Sequence, residues 1–281
     1  MQVPGLYVLS VNLAHLLHSI VEFFYNWTSH MRVMWDYSER SHTYDKRAEY
    51  SSEAIQELLN KMRLRDNLKL VDIGAGTGKL TKHLIKSGCE VIAVEPNSNM
   101  QSYGRTNVVA ENGDRKTLTW MFGTAEETGL PDNIAQAAFF GSSFNVVDQK
   151  VALQETRRIV RKNGWFCCLW NHRDLFDPIQ MKIEDIIKTR IPQYDYGKRR
   201  EDPTQTLINS AFFNEVQNVK RTFKVKMTRE DIIAAWRSHD TLYRQSGNLF
   251  NNIIDEISEY LSDQVYTVPY ETCGWLAQFK D

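Results

Sequence analysis

A glycine-rich stretch, VDIGAGTGKL, occupies residues 71–80 and follows a short apolar run. Its three glycines, Gly74, Gly76 and Gly78, alternate with other residues. A turn of this kind between a strand and a helix commonly brings backbone N–H groups against a nucleotide. The stretch therefore predicts a nucleotide-like ligand at the end of the first strand.

The residues around these glycines exclude two common nucleotide motifs. The dinucleotide fingerprint GxGxxG would need a glycine in place of Lys79, and the P-loop would need a serine or threonine in place of Leu80. The carboxylate of Asp72, just ahead of the turn, would repel a pyrophosphate. It would instead suit a ligand that carries an ammonium group.

A second acidic residue, Glu95, ends the next apolar run, EVIAVE. At that position an acidic side chain can accept hydrogen bonds from both hydroxyls of a ribose. A ligand with a ribose, no pyrophosphate and a cationic amino-acid tail is S-adenosylmethionine. The alternative is a turn that needs only a flexible backbone, and it does not explain why Asp72 and Glu95 accompany the glycines.

Three segments resemble successive motifs of the class I S-adenosylmethionine-dependent methyltransferases, in the small-molecule branch called type 11. They are VDIGAGTGKLTKHLIKSGCEVIAVEPNSNM, FGTAEETGLPDNIAQAAFFGSSFNVVD and ALQETRRIVRKNGWFCCLWN, within residues 44–174. The resemblance implies an α/β fold: a Rossmann-like, seven-stranded, mostly parallel sheet with helices on both faces and an antiparallel last strand. The whole chain is also similar to the stand-alone O-methyltransferases of cyanobacterial peptide–polyketide clusters, such as those for microcystin.

The predicted cofactor site combines these motifs. The resemblance implies that Thr124, Ala125 and Glu126 lie near the adenine, with Pro96 and Met100 packed around it. With the glycine turn and the two carboxylates, the predicted residues for binding S-adenosylmethionine are Asp72, Gly74, Ala75, Gly76, Glu95, Pro96, Met100, Thr124, Ala125, Glu126 and Ser142.

Two histidines are candidates for catalysis. A hydroxyl acceptor benefits from a general base, whereas an amine acceptor must be unprotonated. His172 follows the fifth predicted strand, at the sheet edge where open α/β folds bind ligands, and His239 lies on a predicted cap. Each could instead be an ordinary loop or helix-surface residue. His15 and His18 lack an accompanying carboxylate cluster, so no metal ion is expected.

Residues near the acceptor come from two places. The sequence YDKRAEY resembles a tyrosine–arginine pattern in a segment that folds over the cofactor in relatives, so Tyr44, Arg47 and Tyr50 are assigned to a lid. The alternative is an ordinary amphipathic helix. Asn145 stands where many relatives have the histidine of a His–Trp pair, so the role of that histidine does not transfer to this chain. Asn145 is counted among the predicted substrate residues.

The elements that must position these residues alternate between strand and helix, which predicts a parallel α/β sheet. Strands are predicted at 68–73, 90–95, 118–122, 134–140, 165–170, 219–227 and 268–279. Helices are predicted at 43–60, 78–86, 97–103, 147–161, 228–242 and 248–261, with further helices within 175–215. The Asn163–Gly164 pair is expected to end the fourth of these helices, and the last two helices are expected to form the cap.

The chain is expected to divide into an N-terminal helical lid (1–42), a cofactor-binding core (43–174) and a remainder with the cap (175–281). Apolar residues at helical spacing over residues 6–27 predict an amphipathic helix. Its polar residues argue against a membrane span, and no signal-peptide pattern precedes it. The helix is expected to pack on its own domain or on a second copy of the chain, which would make a homodimer.

The composition limits the partners and the compartment. The formal net charge is −1 and the pI is about 6.7, so no basic field is present to bind nucleic acid. Four cysteines without a CxxC pair favour the cytoplasm. The expected activity is O-methylation of a small-molecule hydroxyl in a natural product. The alternatives are N-methylation of an amine and a catalytically idle protein that binds S-adenosylmethionine.

Overall fold

The computed structural model describes residues 46–64, 68–112 and 117–280. The predicted N-terminal helix at residues 6–27, the rest of segment 1–42 and the predicted lid residue Tyr44 lie outside this range. Within it, no helix has the length and apolar character needed to cross a membrane.

Seven strands form one sheet. In chain order they are β1 (Lys69–Ile73), β2 (Glu90–Val94), β3 (Leu118–Met121), β4 (Ala135–Gly141), β5 (Val160–Arg173), β6 (Gln217–Thr228) and β7 (Val265–Gln278). Their spatial order is β3–β2–β1–β4–β5–β7–β6. Only β7 runs antiparallel to its neighbours β5 and β6, and the other pairs are parallel. The predicted seven-stranded sheet with an antiparallel last strand is confirmed.

Helices cover both faces of this sheet. They are α1 (Ser52–Met62), α2 (Lys79–Ile85), α3 (Ser98–Asn112), α4 (Gln149–Ile159), α5 (Pro178–Arg190), α6 (Thr204–Asn209), α7 (Arg229–Arg237), α8 (Asp240–Ser246) and α9 (Phe250–Tyr260). Side chains alternate along β1, as they must in a strand. Leu70 packs in the core cluster that includes α1 and α2, whereas Val71 and Ile73 pack in the cluster that includes α4 and α6.

The long strands β6 and β7 support the cap. Met227 and Tyr266, near their paired ends, join Trp236 of α7 and Ile253 of α9 in a third buried cluster. The insertions that build this layer follow β5 and β6, after the mostly parallel part of the sheet. The cap therefore lies on the two strands farthest from β3.

Four sequence predictions need correction. The helix predicted at 43–60 begins at Ser52, because the Ser51 side chain caps its first turn by accepting a hydrogen bond from the Ala54 N–H. The helix predicted at 228–242 is two helices, α7 and α8, because His239 adopts an extended backbone (φ −81°, ψ 91°) and starts a new helix. The Asn163–Gly164 pair does not end α4, which stops at Ile159. Asn163 has a left-handed backbone (φ 57°) within β5, where the pairing with β4 is irregular. The helix predicted at 97–103 extends to Asn112.

Candidate active site

The glycine turn joins β1 to α2 with a left-handed backbone at Gly74 (φ 70°), Gly76 (φ 57°) and Gly78 (φ 81°). A Cβ atom at Gly74 would lie 2.6 Å from the Ser143 Cβ, and one at Gly78 would lie 2.6 Å from a methyl group of Val108. Both the backbone conformation and the space therefore require glycine. The turn is packed tightly against the residues that follow β4 and against α3.

Glu95 follows β2 and faces this turn. Its Oε2 accepts a hydrogen bond from the Gly76 N–H at 2.8 Å, and its Oε1 accepts one from the Asn97 N–H at 2.9 Å. The side chain is buried, and burial raises the pKa of Glu95 to about 7, although the two N–H donors act in the opposite direction. Each carboxylate oxygen has a second lone pair, so further donors can be bound.

Asp72 lies beneath the turn, on the face of β1 that packs against α2. It is fully buried, and its Oδ2 accepts a hydrogen bond from the Thr81 hydroxyl at 2.6 Å. Its Oδ1 has no hydrogen-bond partner among the described residues. Burial and, to a smaller extent, the charge of Glu95 raise the pKa of Asp72 to about 7, although the Thr81 hydroxyl acts in the opposite direction.

These features fit S-adenosylmethionine. Two buried carboxylates with raised pKa values are stabilised in their charged form by a ligand that brings positive charge and hydrogen-bond donors. The unsatisfied Oδ1 of Asp72 adds an acceptor without a partner, which is uncommon in a folded protein. The residues present are therefore of the types that a ribose and a cationic tail require.

The other predicted cofactor residues surround the same region. Met100 is buried, and its Cε would lie 3.3 Å from a Cβ placed at Gly76. Thr124 accepts a hydrogen bond from the Glu127 N–H at 3.0 Å, and Glu126 accepts one from the Asp148 N–H at 2.9 Å. The remaining four residues lie at the same edge of the sheet: Ala75 in the turn, Pro96 after β2, Ala125 after β3 and Ser142 after β4.

A cleft opens at the carboxyl edge of β4 and β5. Of the predicted cofactor residues only Ser142 lines it, together with the predicted lid residues Arg47 and Tyr50 and both candidate histidines. The complete lining is Arg47, Ala48, Tyr50, Lys79, Ser142, Asn171, His172, Arg173, Tyr196, Arg199, Arg200, His239 and Tyr270. Asp72, the glycines and Glu95 lie to one side of it, around the turn.

Asn171, near the end of β5, fixes the segment that precedes α1. Its side-chain amide donates hydrogen bonds to the backbone carbonyls of Ala48 at 3.2 Å and Glu49 at 2.7 Å. Its Oδ1 accepts a hydrogen bond from the Thr272 hydroxyl at 2.6 Å, and the same hydroxyl accepts one from the Ser51 N–H at 2.9 Å. This network holds residues 47–50 across the edge of the sheet.

Arg47 and Tyr50 extend from that segment into the cleft. The Tyr50 and Ser142 hydroxyls are hydrogen-bonded at 2.9 Å. Arg47 donates from Nε to the Ser238 hydroxyl at 2.9 Å and from Nη2 to the Ser238 carbonyl. The segment is thus joined both to the loop after β4 and to the cap.

His172 is half-buried in the cleft wall. Its Nε2 lies 3.0 Å from the Arg199 carbonyl, so Nε2 carries the hydrogen and Nδ1 retains the lone pair. Burial and, to a smaller extent, the nearby Arg200 charge lower the pKa of His172 to about 4. His172 is therefore neutral near pH 7 and can accept a proton only at Nδ1.

His239 has a structural task. Its Nδ1 accepts a hydrogen bond from the Leu242 N–H at 3.3 Å, which caps the first turn of α8. Burial and the charges of Arg199, Arg173 and Arg47 hold its pKa well below the usual range. Because the lone pair is used by the cap, the position is poorly suited to a general base.

Asn145 lies outside the cleft lining. It is buried, and its Oδ1 accepts a hydrogen bond from the Trp170 indole N–H at 2.7 Å. The side-chain amide of Asn145 thus gives a hydrogen-bond acceptor to an indole N–H that would otherwise be buried without a partner.

No sequence pattern indicates that the arginines Arg173, Arg199 and Arg200 or the aromatic residues Tyr196 and Tyr270 are site residues. Arg173 directly follows His172, and the run GKRR at residues 197–200 falls in a stretch that the sequence predicts to be a loop between helices. A basic run in a loop is usually exposed to solvent. Its sequence therefore does not indicate that the run packs against the end of β5.

Residues 71–168 match a family model described as a methyltransferase domain. Over 128 residues the chain is 36% identical to an uncharacterized methyltransferase of Mycobacterium tuberculosis, which covers 46% of this chain and 48% of that protein. Over 149 residues it is 27% identical to the ubiquinone/menaquinone biosynthesis C-methyltransferase UbiE of Caulobacter vibrioides, covering 50% of this chain and 59% of that one. The chain thus spans about half the length of these curated relatives.

Two solved structures share the fold. YcgJ from Bacillus subtilis matches with a TM-score of 0.53 and 15% identity, over 82% of this chain and 100% of that one. A putative type II methyltransferase from Anaeromyxobacter dehalogenans matches with a TM-score of 0.57 and 16% identity, over 83% and 97% of the two chains. Residues 71–168 thus match a methyltransferase domain, and the sheet order and the glycine turn with its acidic partners make the chain similar to the class I S-adenosylmethionine-dependent methyltransferases.

Proposed function

We propose that this chain transfers the methyl group of S-adenosylmethionine to a small-molecule acceptor bound in the cleft. The observation that carries the proposal is the contact between the two halves of the site. Ser143 packs on Gly74 of the cofactor turn, and its neighbour Ser142 is hydrogen-bonded to Tyr50 in the cleft. A reacting group in the cleft therefore lies next to the turn that would hold the cofactor.

The residues around the glycine turn have separate proposed tasks in binding the cofactor. Glu95, already oriented by two backbone donors, accepts hydrogen bonds from the ribose hydroxyls. Asp72 supplies negative charge to the cationic end through its unsatisfied Oδ1. Thr124, Ala125 and Glu126 flank the adenine with Pro96 and Met100. When bound, S-adenosylmethionine supplies an electrophilic methyl group on a positively charged sulfur.

The segment at residues 47–50 orients the acceptor and excludes water. Its backbone is fixed by Asn171 and its side chains reach Ser142 and Ser238, so it can form a rigid wall of the cleft. Holding the nucleophile at the correct position can provide a large part of the reduction of the activation barrier in a displacement of this kind. Rigidity in this segment therefore supports turnover directly.

We favour an oxygen acceptor, with His172 as its base. The neutral imidazole has an available lone pair at Nδ1, and that nitrogen could take the proton of a hydroxyl group. An amine acceptor would need no such base. An activated carbon is a third acceptor class, which the name of the UbiE relative brings into consideration.

The cofactor half of the proposal is tested by titration calorimetry with S-adenosylmethionine. Asp72→Asn and Glu95→Gln should each weaken binding by about 1–3 kcal/mol, the range for a hydrogen-bonding group lost from a charged pair. Glu90→Gln is the matched control, because Glu90 is an exposed carboxylate at the start of the same strand. Unchanged affinity in both test variants would contradict the proposed site.

The transfer half is tested by methyl release with a panel of phenols, alcohols, amines and activated carbon acids. Nuclear magnetic resonance of the product identifies the methylated atom and so distinguishes O-, N- and C-methylation. Tight cofactor binding without release to any acceptor would instead support a binding protein that does not catalyse transfer.

A further inference from the structure

Three arginines surround one side of the cleft. Arg173 ends β5, and Arg199 and Arg200 belong to a 3₁₀ turn at residues 197–200. All three are half-buried and line the cleft. The whole chain has a formal net charge of −1, so this local excess of positive charge does not follow from the composition.

Two of these guanidinium groups are held in place by aromatic rings. The Arg173 Cζ lies 4.4 Å from the centroid of the Trp236 ring, and the Arg200 Cζ lies 4.8 Å from that of Tyr196. Arg200 also donates from Nη2 to the Arg173 carbonyl at 2.7 Å. A guanidinium stacked on a ring keeps the N–H donors around its edge available for a planar anion.

No carboxylate of the described residues contacts these three guanidinium groups. Among the described residues, none of the three arginines forms an ion pair, and the cleft lining contains neither aspartate nor glutamate. Two acids whose charges act on this region have other direct partners: Glu184 is paired with Lys188 at 2.8 Å, and Glu271 accepts a hydrogen bond from the Cys273 thiol at 3.0 Å.

The other cations of the cleft have partners in the protein. Lys79, on the side of the glycine turn, forms an ion pair with Glu49 at 2.8 Å. Arg47 is bonded to Ser238. The uncompensated charge is therefore concentrated at the end of β5, away from the cofactor turn.

The effect of this charge is visible on the neighbouring groups. Burial lowers the pKa of Arg200 and the charge of Arg173 acts in the same direction, while Tyr196 and Glu184 act in the opposite one. The same arginines help to lower the pKa values of His172 and His239. Half-buried like charges cost free energy, and a bound oxyanion would offset that cost.

We propose that the methyl acceptor carries an anionic group, a carboxylate or a phosphate, that binds to Arg173, Arg199 and Arg200. This inference rests on the proposed function, because it names the substrate class of the same cleft. The anionic group anchors the acceptor at the end of β5, and the nucleophile then points toward Ser142 and the glycine turn. Arginine suits the task because its fork of donors matches a carboxylate or phosphate in a bidentate way.

The test uses probe binding, so that it does not depend on turnover. The full-length protein is titrated, with S-adenosylhomocysteine present, with 4-hydroxybenzoate, phenyl phosphate and the neutral 4-hydroxybenzamide. We expect at least one anion to bind about tenfold or more tightly than the amide, with the preference weakening as salt is added. The comparison of benzoate with phosphate distinguishes the two anion types.

The variants Arg173→Gln and Arg199→Gln should each remove most of this preference. Arg199→Gln is the safer variant, since the Arg199 side chain makes no hydrogen bond to the described residues and its loss should leave the fold intact. Arg161→Gln, at the exposed opposite end of β5, is the matched control and should bind like the wild type. Circular dichroism verifies that each variant is folded.

Equal affinity for the anions and the amide, or a preference that survives in Arg199→Gln, would overturn this inference. The inference would also be overturned if neutral acceptors were methylated and the arginine variants methylated them as fast as the wild type. In that case the methyltransferase proposal would still stand. Failure of S-adenosylmethionine to bind would contradict the proposed function, while the anion preference would still be measured by the probes.

Discussion

The hydroxyl groups of Tyr50 and Ser142 are hydrogen-bonded at 2.9 Å. Tyr50 comes from the segment ahead of α1, whereas Ser142 follows β4 with a left-handed backbone (φ 59°). The Ser142 N–H donates to the Leu169 carbonyl of β5 at 2.9 Å, which fixes its position. The pair therefore connects the wall of the cleft to the central strands at the point where the cofactor turn and the cleft meet.

Removing this connection should impair turnover more than folding. We expect Tyr50→Phe to reduce the free energy of unfolding by about 1 kcal/mol, the usual net worth of a hydrogen bond. We expect it to reduce kcat/KM about tenfold, because a displaced wall misplaces the acceptor. Denaturant unfolding and methyl-transfer kinetics measure the two effects.

Ser142→Ala supplies the check for this prediction. If the two hydroxyls act as one unit, the double variant should lose no more activity than the worse single variant. Fully additive losses would show that the two residues act separately.

The buried carboxylates predict a pH dependence of stability. Burial raises the pKa of Asp72 and of Glu95 to about 7, from 3.8 and 4.5 respectively. Between about pH 4 and pH 7 the folded state therefore holds protons that the unfolded state has released. Their contribution to the free energy of unfolding should accordingly fall as the pH rises through this window and level off above it.

Asp72→Asn should flatten this dependence, because an amide does not titrate. Chemical denaturation at several pH values between 5 and 8 measures the slope, with Glu90→Gln as control. Comparing each variant with the wild type cancels the opposite contributions of Glu49 and Glu155, whose pKa values are lowered by their basic partners. A wild-type slope in Asp72→Asn would contradict the raised pKa.

Cofactor affinity should change with pH in the opposite direction. If the charged carboxylates hold S-adenosylmethionine, its affinity should increase as the pH rises toward 7 and both groups ionise. Calorimetry over the same pH range tests this, and the dependence should weaken in Glu95→Gln. Affinity that is constant from pH 5.5 to 8 would mean that neither carboxylate titrates at the site.

Local patterns are enough to predict that the glycine turn and the two carboxylates lie at one edge of the sheet. The glycines, Asp72 and Glu95 belong to two adjacent strand ends, and their positions follow once β1 and β2 pair in parallel. The contact between the Gly76 N–H and Glu95 agrees with that arrangement.

The acceptor half depends on contacts that no local pattern contains. Arg199 reaches the end of β5 because the chain after α5 folds back, so that its carbonyl meets His172. Likewise, the helical periodicity continues through residues 228–242, but His239 acts as an N-cap and divides the helix. Histidine is not among the usual N-cap residues, so the sequence did not indicate the break.

The two histidines should behave differently when substituted. His172→Gln can keep a donor toward the Arg199 carbonyl but has no basic nitrogen, so with a hydroxyl acceptor it should lower turnover about 100-fold. Because the pKa of His172 is about 4, turnover should not fall between pH 8 and 6 through protonation of His172 itself. Cofactor affinity, measured by calorimetry, should stay the same.

His239→Ala is the comparison for this prediction. It removes the cap of α8, so the free energy of unfolding should fall by about 1 kcal/mol. Turnover should fall much less than in His172→Gln. If the His172→Gln enzyme were active and the His239→Ala enzyme were folded but inactive, the general base would be His239 of the cap instead of His172.

Two glycines with the same backbone conformation allow the crowding at the cofactor turn to be measured. Gly74 has φ 70° and Gly129 has φ 71°, so alanine is strained at both positions. A Cβ at Gly129 would meet nothing within 4 Å, whereas one at Gly74 would lie 2.6 Å from the Ser143 Cβ. The difference between the two variants isolates the steric cost from the backbone cost.

We expect Gly129→Ala to reduce the free energy of unfolding by about 1–2 kcal/mol through the left-handed backbone alone. Gly74→Ala should cost about 1–3 kcal/mol more, because Ser143 must move from the end of β4. That movement would also break the hydrogen bond of 2.6 Å from the Ser143 hydroxyl to the Ile73 carbonyl. Gly74→Ala should therefore weaken S-adenosylmethionine binding, while Gly129→Ala leaves it unchanged. Equal unfolding free energies for the two variants would show that the turn can relax, and that its packing against Ser143 does not set the shape of the cofactor site.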